Sequence, residues 1–299
     1  MTDVPTTQDV LAVDIGGTKM AAALCGDGLS EVSRCPTGLA PWESLVQLLD
    51  PLAPGVEAIG VGCGGPMAWP AGEVSPLNIP AWRAFPLRAR LMERYGVPVR
   101  LHNDAVCMAV GEHWRGGWGT EDLLGMVVST GVGGGLVLGG RVIDGATGNA
   151  GHVGHVVVDP LGPACPCGGR GCLEAVARGP AVVAWAAERG SAATDGRQLA
   201  QLAAAGDPLA AQAFSRAGQA LAIGITSAAI LLDVSVVSVG GGLSQVPSLW
   251  DALRSELVGR CRIGFLADLR VEPAVFGQEA GLLGAAALFL AGDRYWAAD

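Results

Sequence analysis

The feature that most constrains the fold is a plan that occurs twice along the chain: an apolar strand, a glycine-rich turn and a second strand at hairpin distance. Residues 10–15 end at Gly16-Gly17 and precede residues 20–24, while residues 123–129 end at a run of glycines and precede residues 134–138. Short strands joined by tight glycine turns predict a β-meander. The sequence therefore predicts two α/β halves of similar plan.

Each half continues with helices and further strands. The spacing of apolar residues predicts helices at 42–52, 87–95, 103–114, 180–189, 197–204 and 208–232, and a last helix that begins near Ala280. A length of 299 residues suits two domains. We predict an N-terminal domain (1–117), onto which a C-terminal helix (about 281–299) packs back, and a C-terminal domain (118–280). Duplicated α/β halves with a cleft between them suit a ligand that must be enclosed.

Charge and hydropathy exclude two classes of partner. The net charge is −9 and Lys plus Arg total 19, so the chain lacks the positive field that a nucleic acid requires. The most apolar stretch, residues 220–232, is shorter than the roughly 18 residues of a membrane-spanning helix. Residues 2–8 form a polar tail without the features of a signal peptide. We therefore expect a cytoplasmic protein with neither a nucleic-acid nor a membrane partner.

Three glycine turns at strand ends carry the first chemical signal. The first is Asp14-Ile15-Gly16-Gly17-Thr18-Lys19, the second is Ser129-Thr130-Gly131-Val132-Gly133-Gly134-Gly135 and the third is Gly240-Gly241-Gly242. Glycines let the backbone approach a ligand, and its N–H groups can cradle phosphate oxygens. Asp14 is suited to hold a magnesium ion through water. The first turn alone fits an ordinary hairpin equally well, but three such turns fit the walls of a nucleotide site.

A fourth segment, Leu101-His102-Asn103-Asp104-Ala105, marks the point where a strand ends and a helix begins. Amide and acidic residues are common helix caps, so a purely structural role is one interpretation. In the functional interpretation, Asp104 faces a ligand and accepts a proton from an attacking hydroxyl. Phosphoryl transfer needs one such carboxylate to orient the nucleophile.

The most specific motif combines His155 with Cys165, Cys167 and Cys172. One histidine and three cysteines have the composition of a closed, tetrahedral structural zinc site. Because a closed site has no open coordination position, we expect the zinc to stabilise the fold and not to catalyse. The chain has no export signal, so the other five cysteines are predicted to be buried free thiols.

In order and spacing, these motifs resemble the ROK family (repressor, open reading frame, kinase) of bacterial sugar kinases and regulators. The resemblance covers about residues 9–290. It implies an α/β fold of the actin-like ATPase (ribonuclease H-like) class, with two domains and ATP and Mg²⁺ bound in the cleft between them. The ATP and magnesium residues would be those of the three turns: Asp14, Gly16, Gly17, Thr18, Lys19, Thr130, Gly131, Gly133, Gly240, Gly241 and Gly242.

The resemblance also implies roles at the sugar. Asp104 would be the general base for the 6-hydroxyl of a hexose or N-acetylhexosamine, and zinc would shape the sugar pocket by fixing the loop that carries Glu174. The sugar-binding residues would be Gly65, Asn78, Asn103, Asp104, His152, His155 and Glu174. Family members that act as repressors carry an extra N-terminal DNA-binding domain, whereas the kinase motifs begin here by Val10. The resemblance further implies a homo-oligomer, either a dimer or a tetramer.

One position departs from the family pattern. His152, in Gly151-His152-Val153-Gly154-His155, stands where family glucokinases usually have Glu. A carboxylate only accepts hydrogen bonds, whereas a neutral imidazole also donates one, which suits an acetamido carbonyl. The form resembles N-acetylmannosamine kinases, so that sugar is the favoured substrate. Glucose, N-acetylglucosamine, an amino sugar and a non-catalytic sugar sensor remain open alternatives.

Overall fold

The computed structural model describes residues 9–297, and the predicted polar tail at 2–8 lies outside the described residues. The strands, in chain order, are β1 (Val10–Ile15), β2 (Lys19–Cys25), β3 (Ser33–Pro36), β4 (Ala58–Cys63), β5 (Met67–Ala68), β6 (Glu73–Val74), β7 (Phe85–Pro86), β8 (Val99–Asn103), β9 (Leu123–Val128), β10 (Val132–Leu138), β11 (Arg141–Val142), β12 (Val236–Gly240) and β13 (Arg270–Pro273). The α-helices are α1 (Pro41–Leu49), α2 (Leu87–Tyr95), α3 (Asp104–Arg115), α4 (Leu173–Ala177), α5 (Gly179–Ala187), α6 (Gly196–Ala204), α7 (Pro208–Leu232), α8 (Pro247–Arg260) and α9 (Ala280–Leu290).

The described chain divides into two compact units. Unit 1 comprises residues 9–121, 135–150 and 278–297, and unit 2 comprises residues 122–134 and 151–277. The predicted division placed residues 135–150 with the C-terminal half, whereas they cluster with unit 1. The chain therefore enters unit 2 twice. The predicted two-domain organisation, with boundaries near 117 and 280, stays a prediction.

Unit 1 contains a mixed five-stranded sheet of order β3-β2-β1-β4-β8. The meander β1–β2–β3 is antiparallel, and β1, β4 and β8 run parallel to one another. All six residues of β4 are buried, as expected for a central parallel strand with both faces covered. Because the three parallel strands end at the same edge, the residues that follow them lie close together.

Helices cover the unit 1 sheet. Leu11, Val13 and Val61 share a buried core with Leu45 of α1 and Leu91 of α2, because alternate strand residues point to the same face. Helix α9 packs against β1, β4 and α3. A small antiparallel sheet of order β5-β6-β7 lies in the segment that joins β4 to α2.

The second sheet has order β11-β10-β9-β12-β13, the same order as the first when each meander is counted from its first strand. In unit 2, β12 pairs in parallel with β9 and with β13. Strand β10 begins in unit 2 and ends in unit 1, where Val137 and Leu138 pair with β11. The shared strand order fits the predicted duplication of an α/β plan.

Helix α7 has the bounds of the helix predicted at 208–232 and includes the apolar stretch 220–232. It has 25 residues and is the one described helix whose length and hydropathy would allow it to cross a membrane. However, 56% of its most apolar window is buried, and it packs against α8, α4, α5 and α6. This pattern is typical of a helix in a protein core.

Two expectations about element bounds need correction. The predicted second turn spans 131–135, but β10 already begins at Val132, so Gly133, Gly134 and Gly135 lie within a strand. The last helix was expected to reach residue 299, but α9 ends at Leu290 and a 3₁₀ turn follows at Gly292–Arg294. Strand β13 and helix α8 were not predicted.

Candidate active site

Two carboxylates of unit 1, that of Asp14 near the end of β1 and that of Asp104 directly after β8, belong to parallel strands on either side of β4. Asp14 lies near the end of β1 and pairs in register with Gly62 of β4, and Asn103, the last residue of β8, pairs with Cys63. Asp104 Oδ2 lies 3.9 Å from the position that a Cβ on Gly64, just after β4, would occupy. The sheet thus brings both carboxylates to one edge.

The environment of Asp14 is unusual for a carboxylate. Its pKa is raised from 3.8 to about 7, mainly by desolvation and also by the charge of Asp104, against the lowering effect of Lys19. The Lys19 ammonium group donates a 2.7 Å hydrogen bond to Gln278 Oε1. A desolvated carboxylate beside a second carboxylate is a site where a cation would be bound favourably.

This pKa predicts how stability depends on pH. Because the folded-state pKa (about 7) exceeds the ordinary value of 3.8, the contribution of Asp14 is fully present below pH 4 and is lost as the pH rises through 7. In magnesium-free buffer, the free energy of unfolding should decrease between pH 4 and pH 8 by at most roughly 4 kcal/mol from this group. Asp14→Asn should remove that decrease, as urea titrations at several pH values would measure.

Asp9→Asn is the matched control, because Asp9 is an exposed carboxylate one residue before β1. It should keep the wild-type pH dependence. An Asp14→Asn variant that loses stability with pH as the wild type does would contradict the assigned origin of the effect.

Asn103 and Asp104 begin helix α3. Asn103 is the N-cap, with extended backbone angles, and its side chain accepts a 3.0 Å hydrogen bond from the backbone N–H of Ala105. Asp104 Oδ1 also accepts from Ala105 N–H, at 2.9 Å. Since the cap is already provided by Asn103, the carboxylate of Asp104 is not required for helix initiation. The structural interpretation of the motif therefore accounts for Asn103 better than for Asp104.

The first glycine turn lies against the loop that carries Asn78. A Cβ on Gly17 would stand 2.3 Å from the Cβ of Asn78, so any larger residue would displace that loop. Gly16 N–H donates to Lys19 C=O at 3.0 Å and closes the hairpin, and Thr18 is exposed. Gly65 C=O accepts from Leu77 N–H at 3.3 Å. Unit 1 thus brings Gly17, Gly65 and Asn78 together.

Two thiols lie beside the carboxylates. Cys63 and Cys107 are fully buried, and burial raises the pKa of each well above its ordinary value, with smaller contributions from Asp14 and Asp104. Cys107 Sγ also donates to Val61 C=O at 3.7 Å. These are the inert buried thiols that the sequence predicts, whereas Cys35 and Cys261, predicted to be buried as well, are partly exposed.

In unit 2, the turn between β9 and β10 is held by Glu174. Its Oε2 accepts a 2.9 Å hydrogen bond from Val132 N–H and lies beside Gly131. Thr130 is exposed at the tip of the turn. Glu174 is the second residue of helix α4, two residues after Cys172, which is the N-cap. A residue predicted to bind the sugar therefore also fixes the predicted phosphate turn.

The third glycine turn follows β12 at the same end of the unit 2 sheet, since Gly240 pairs with Val127 of β9. Gly241 has a φ of +93°, and a Cβ there would lie 2.4 Å from Val128 C=O. Both facts require glycine. Gly242 then begins a 3₁₀ turn that ends at Gln245.

The Cys₃His set forms a cluster in unit 2. The ligand atoms of His155, Cys165, Cys167 and Cys172 all lie within 4.8 Å of one another. The sulfurs of Cys167 and Cys172 are 3.8 Å apart, and Cys165 Sγ is 3.8 Å from His155 Nδ1. Two thiolates at about 2.3 Å from a tetrahedral ion would lie about 3.8 Å apart, so the cluster fits zinc.

The thiols of this cluster differ in acidity. Burial raises the pKa of Cys172 to about 12 and that of Cys165 above its ordinary value. Hydrogen bonding, mainly to the backbone of Gly169, lowers the pKa of the exposed Cys167. Binding of a metal would therefore displace protons from Cys165 and Cys172.

His152 stands next to the Cys₃His cluster. Its ring stacks near that of His155, with centroids 6.3 Å apart and planes 18° from parallel. His155 N–H donates to His152 C=O at 3.1 Å, within the 3₁₀ turn Val153–His155. His155 Nδ1 faces Cys165 Sγ. The short segment 152–155 therefore carries both the imidazole of His152 and one member of the Cys₃His set.

The sequence-based prediction gave no role to His102, Asp144 or Arg83. His102 Nε2 lies 2.7 Å from Asp144 Oδ1. The Arg83 guanidinium donates to three backbone carbonyls, those of Pro76, Ile79 and Trp82, and so braces the loop that carries Asn78. His102 belongs to the predicted strand–helix segment 101–105, but nothing in the sequence marks Asp144, 42 residues further on, as its partner.

Comparison with known proteins identifies the family. The ROK family model matches residues 10–291. An N-acetylmannosamine kinase of Citrobacter koseri is 34% identical over 294 residues, which cover 95% of this chain and 99% of the relative. A ROK family glucokinase from Streptomyces griseus, solved with glucose and AMPPNP, superposes with a TM-score of 0.83 at 31% identity, covering 94% of this chain and 98% of that chain. A ROK hexokinase from Thermus thermophilus superposes with a TM-score of 0.81 at 38% identity, covering 93% and 96%.

The chain belongs to the ROK family. The predicted α/β fold of the actin-like ATPase class is confirmed by these structural neighbours.

Proposed function

We propose that this ROK-family chain is an ATP-dependent sugar kinase that phosphorylates the 6-hydroxyl of a hexose or N-acetylhexosamine, with N-acetylmannosamine as the favoured substrate. The observation that carries the proposal is the pair Asp104 and Asp14 at one edge of the unit 1 sheet. The chain is 34–35% identical to N-acetylmannosamine kinases over nearly its full length, which supports the choice of sugar.

Asp104 acts as the general base. Its carboxylate accepts the proton of the 6-hydroxyl as that oxygen bonds to the γ-phosphorus, and the bond to the β–γ bridging oxygen breaks to release ADP. Asn103 caps the helix that carries the base, so its amide holds the helix start in place while binding sugar hydroxyls. This division of labour suits phosphoryl transfer, which depends on positioning more than on covalent chemistry.

The phosphates are bound by the glycine turns. The donors are backbone N–H groups of the turn residues Gly17, Thr18, Thr130, Gly131, Gly240, Gly241 and Gly242, with Lys19 as a cation. Gly16 shapes the first turn, because its own N–H donates to Lys19 C=O. Gly133, although within β10, borders the second turn. Asp14 holds magnesium, whose positive charge neutralises the phosphate oxygens when it is bound.

The residues proposed to bind sugar hydroxyls are Gly65, Asn78, Asn103, Asp104, His152, His155 and Glu174. Zinc in the Cys₃His cluster fixes the segment that ends at Glu174, because Cys172 is a ligand and the next two residues open α4. Zinc therefore acts on sugar affinity through the loop and takes no part in the reaction.

Glucose is the second candidate substrate. The S. griseus glucokinase, solved with glucose, is 31% identical, so the same fold carries that activity in a relative. His152 favours N-acetylmannosamine, because an imidazole can donate a hydrogen bond to an acetamido carbonyl and a carboxylate cannot. Asp104 and all three turns are present in the chain, which argues against a non-catalytic sensor.

A coupled ADP-release assay with ATP and magnesium tests the proposal across glucose, mannose, glucosamine, N-acetylglucosamine and N-acetylmannosamine. We expect the highest kcat/KM for N-acetylmannosamine, by about tenfold over glucose, because one hydrogen bond contributes up to about 1.5 kcal/mol and about 1.4 kcal/mol is a factor of ten. His152→Glu should lower this ratio by about tenfold. His152→Gln is the matched control, since its amide still donates and accepts, and should keep the ratio.

Preference for glucose would retain the kinase and overturn the choice of sugar. An unchanged ratio in His152→Glu would remove His152 from the recognition of the 2-substituent. If the folded, zinc-loaded protein releases no ADP with any sugar of the panel, the kinase proposal is wrong for these substrates.

A further inference from the structure

His102 is completely buried and is hydrogen-bonded on both ring nitrogens. Nδ1 lies 2.8 Å from the backbone nitrogen of Asn103, and Nε2 lies 2.7 Å from Asp144 Oδ1. The side chain of Asp144 is 18% exposed. The indole of Trp69 lies against the imidazole, with ring centroids 6.0 Å apart. Such a site holds the ring in one orientation.

These contacts fix the tautomer of His102. The backbone N–H of Asn103 is a donor, so Nδ1 must be unprotonated to accept it. Nε2 then carries the hydrogen and donates it to the Asp144 carboxylate. A carboxylate that orients an imidazole in this way sets which nitrogen is available as an acceptor.

The hydrogen bond reaches the predicted base through one residue. Asn103 is the N-cap of α3, with φ −62° and ψ 143°, and its peptide group leads directly into Asp104. The N–H of Asn103 belongs to the peptide that joins His102 to Asn103, so the hydrogen bond from it to His102 Nδ1 holds that peptide plane. The φ and ψ angles of Asn103 then lead from this plane into Asp104, so the hydrogen bond limits the direction in which the Asp104 side chain leaves the helix. A shift of about 1 Å at a catalytic group can cost about 100-fold in rate.

Asp144 also belongs to a segment that leads to the predicted sugar contact. Its C=O accepts from Ala150 N–H at 3.0 Å, which closes the segment 144–150 into a loop, and Gly151-His152 follows. Gly148 lies against Trp69, the residue that packs on His102. Loop, indole and imidazole therefore form one packed group in unit 1.

We propose that His102 and Asp144 are positioning residues, which act through Asn103 to hold Asp104 in place for removal of the sugar proton. The inference rests on the proposed kinase function. A buried histidine–carboxylate pair is costly to desolvate, and an apolar pair of similar size would fill the space more favourably, so its presence points to a role in geometry. Neither residue contacts the reacting atoms in this mechanism.

The test uses two partial replacements for the imidazole. In His102→Gln, the side-chain amide can still donate to Asp144, but nothing accepts from Asn103 N–H. In His102→Asn, the side-chain oxygen can still accept from Asn103 N–H, but the contact with Asp144 is lost. We expect kcat to decrease about 30-fold in His102→Gln and less than about fivefold in His102→Asn, with the KM for ATP unchanged in both. Asp144→Ala should lower kcat by about tenfold.

His113→Asn is the matched control. His113 lies on helix α3, nine residues beyond Asp104, and makes a 2.7 Å hydrogen bond to the hydroxyl of Tyr295. It should lower the Tm with unchanged kcat. If kcat follows Tm across all four variants, or if both His102 variants keep kcat within twofold of wild type, the positioning role is wrong.

A second readout does not depend on kinase activity. Nitrogen-15 NMR of the imidazoles should find His102 with a proton on Nε2 alone, and Asp144→Ala should shift the Nε2 resonance while Nδ1, which still accepts from Asn103 N–H, stays unprotonated. A wild-type spectrum with the proton on Nδ1 would overturn the inference even in an active kinase. An inactive wild type with the expected tautomer would instead overturn the proposed function and leave the hydrogen-bond assignment standing.

Discussion

Replacing Asp104 with Asn is expected to lower kcat about 1,000-fold while changing the dissociation constant of the sugar by less than about threefold. A positioned general base contributes about 10²- to 10⁴-fold, and that contribution is lost with the carboxylate. The amide has the same shape, and its Oδ1 can still accept from Ala105 N–H as the carboxylate does at 2.9 Å. Steady-state kinetics and calorimetric titration of the sugar would measure the two quantities separately.

Asp207→Asn is the control for this change. Asp207 is the N-cap of α7 and accepts a 2.7 Å hydrogen bond from Ala210 N–H, and Asn is an equally good cap. The same chemical change at a helix start in unit 2 should leave kcat unchanged. More than a tenth of the wild-type kcat in Asp104→Asn would exclude Asp104 as the base.

Sequence reasoning succeeded where the chemistry is local. The strand β1, the helix α7 and the N-cap at Asn103 agree with their predicted positions, because apolar spacing and capping act within a few residues. The Cys₃His set could be found because three of its four members lie within eight residues of one another. The cluster geometry then follows from a single tight loop.

Sequence reasoning was weaker where contacts are tertiary. Gly17 could be recognised as part of a turn. The sequence does not show, however, that the missing Cβ of Gly17 makes room for Asn78. The glycines of β10 were taken for a turn, since glycine signals a bend and strand pairing depends on a partner elsewhere in the chain. Strand β13 has four residues, of which only Val271 is buried, so it lacks an alternating pattern.

The contact between His102 and Asp144 was not predicted for the same reason, because it is a tertiary contact. A histidine before Asn-Asp and an aspartate in a glycine-rich loop are unremarkable separately, and only the fold places their side chains 2.7 Å apart. Arg83 is a similar case, because its role depends on three backbone carbonyls that converge on one guanidinium group. Residues that position a site are harder to predict than residues that form it.

Loss of the metal site should have the second largest effect. We expect about one zinc ion per chain in protein purified without chelator, and less than about 0.2 in Cys167→Ser. Because Cys167 is exposed, serine there removes little packing, so a change in stability reports on the metal. A structural zinc site in a peptide contributes about 10–16 kcal/mol, and even a third of that should lower the Tm of a chain of this length by about 5–8 °C.

The same variant should raise the KM for the sugar more than that for ATP. A zinc ion in the cluster would hold Cys172, and Glu174, two residues later, accepts a 2.9 Å hydrogen bond from Val132 N–H, so a loosened loop would release a predicted sugar ligand. Cys261→Ser, at a partly exposed cysteine outside the cluster, should keep the zinc, the Tm and both KM values. Metal analysis by mass spectrometry and a thermal melt would decide the matter. A zinc-free wild type, or a Cys167→Ser variant that melts like wild type, would mean that these four residues do not form a structural zinc site.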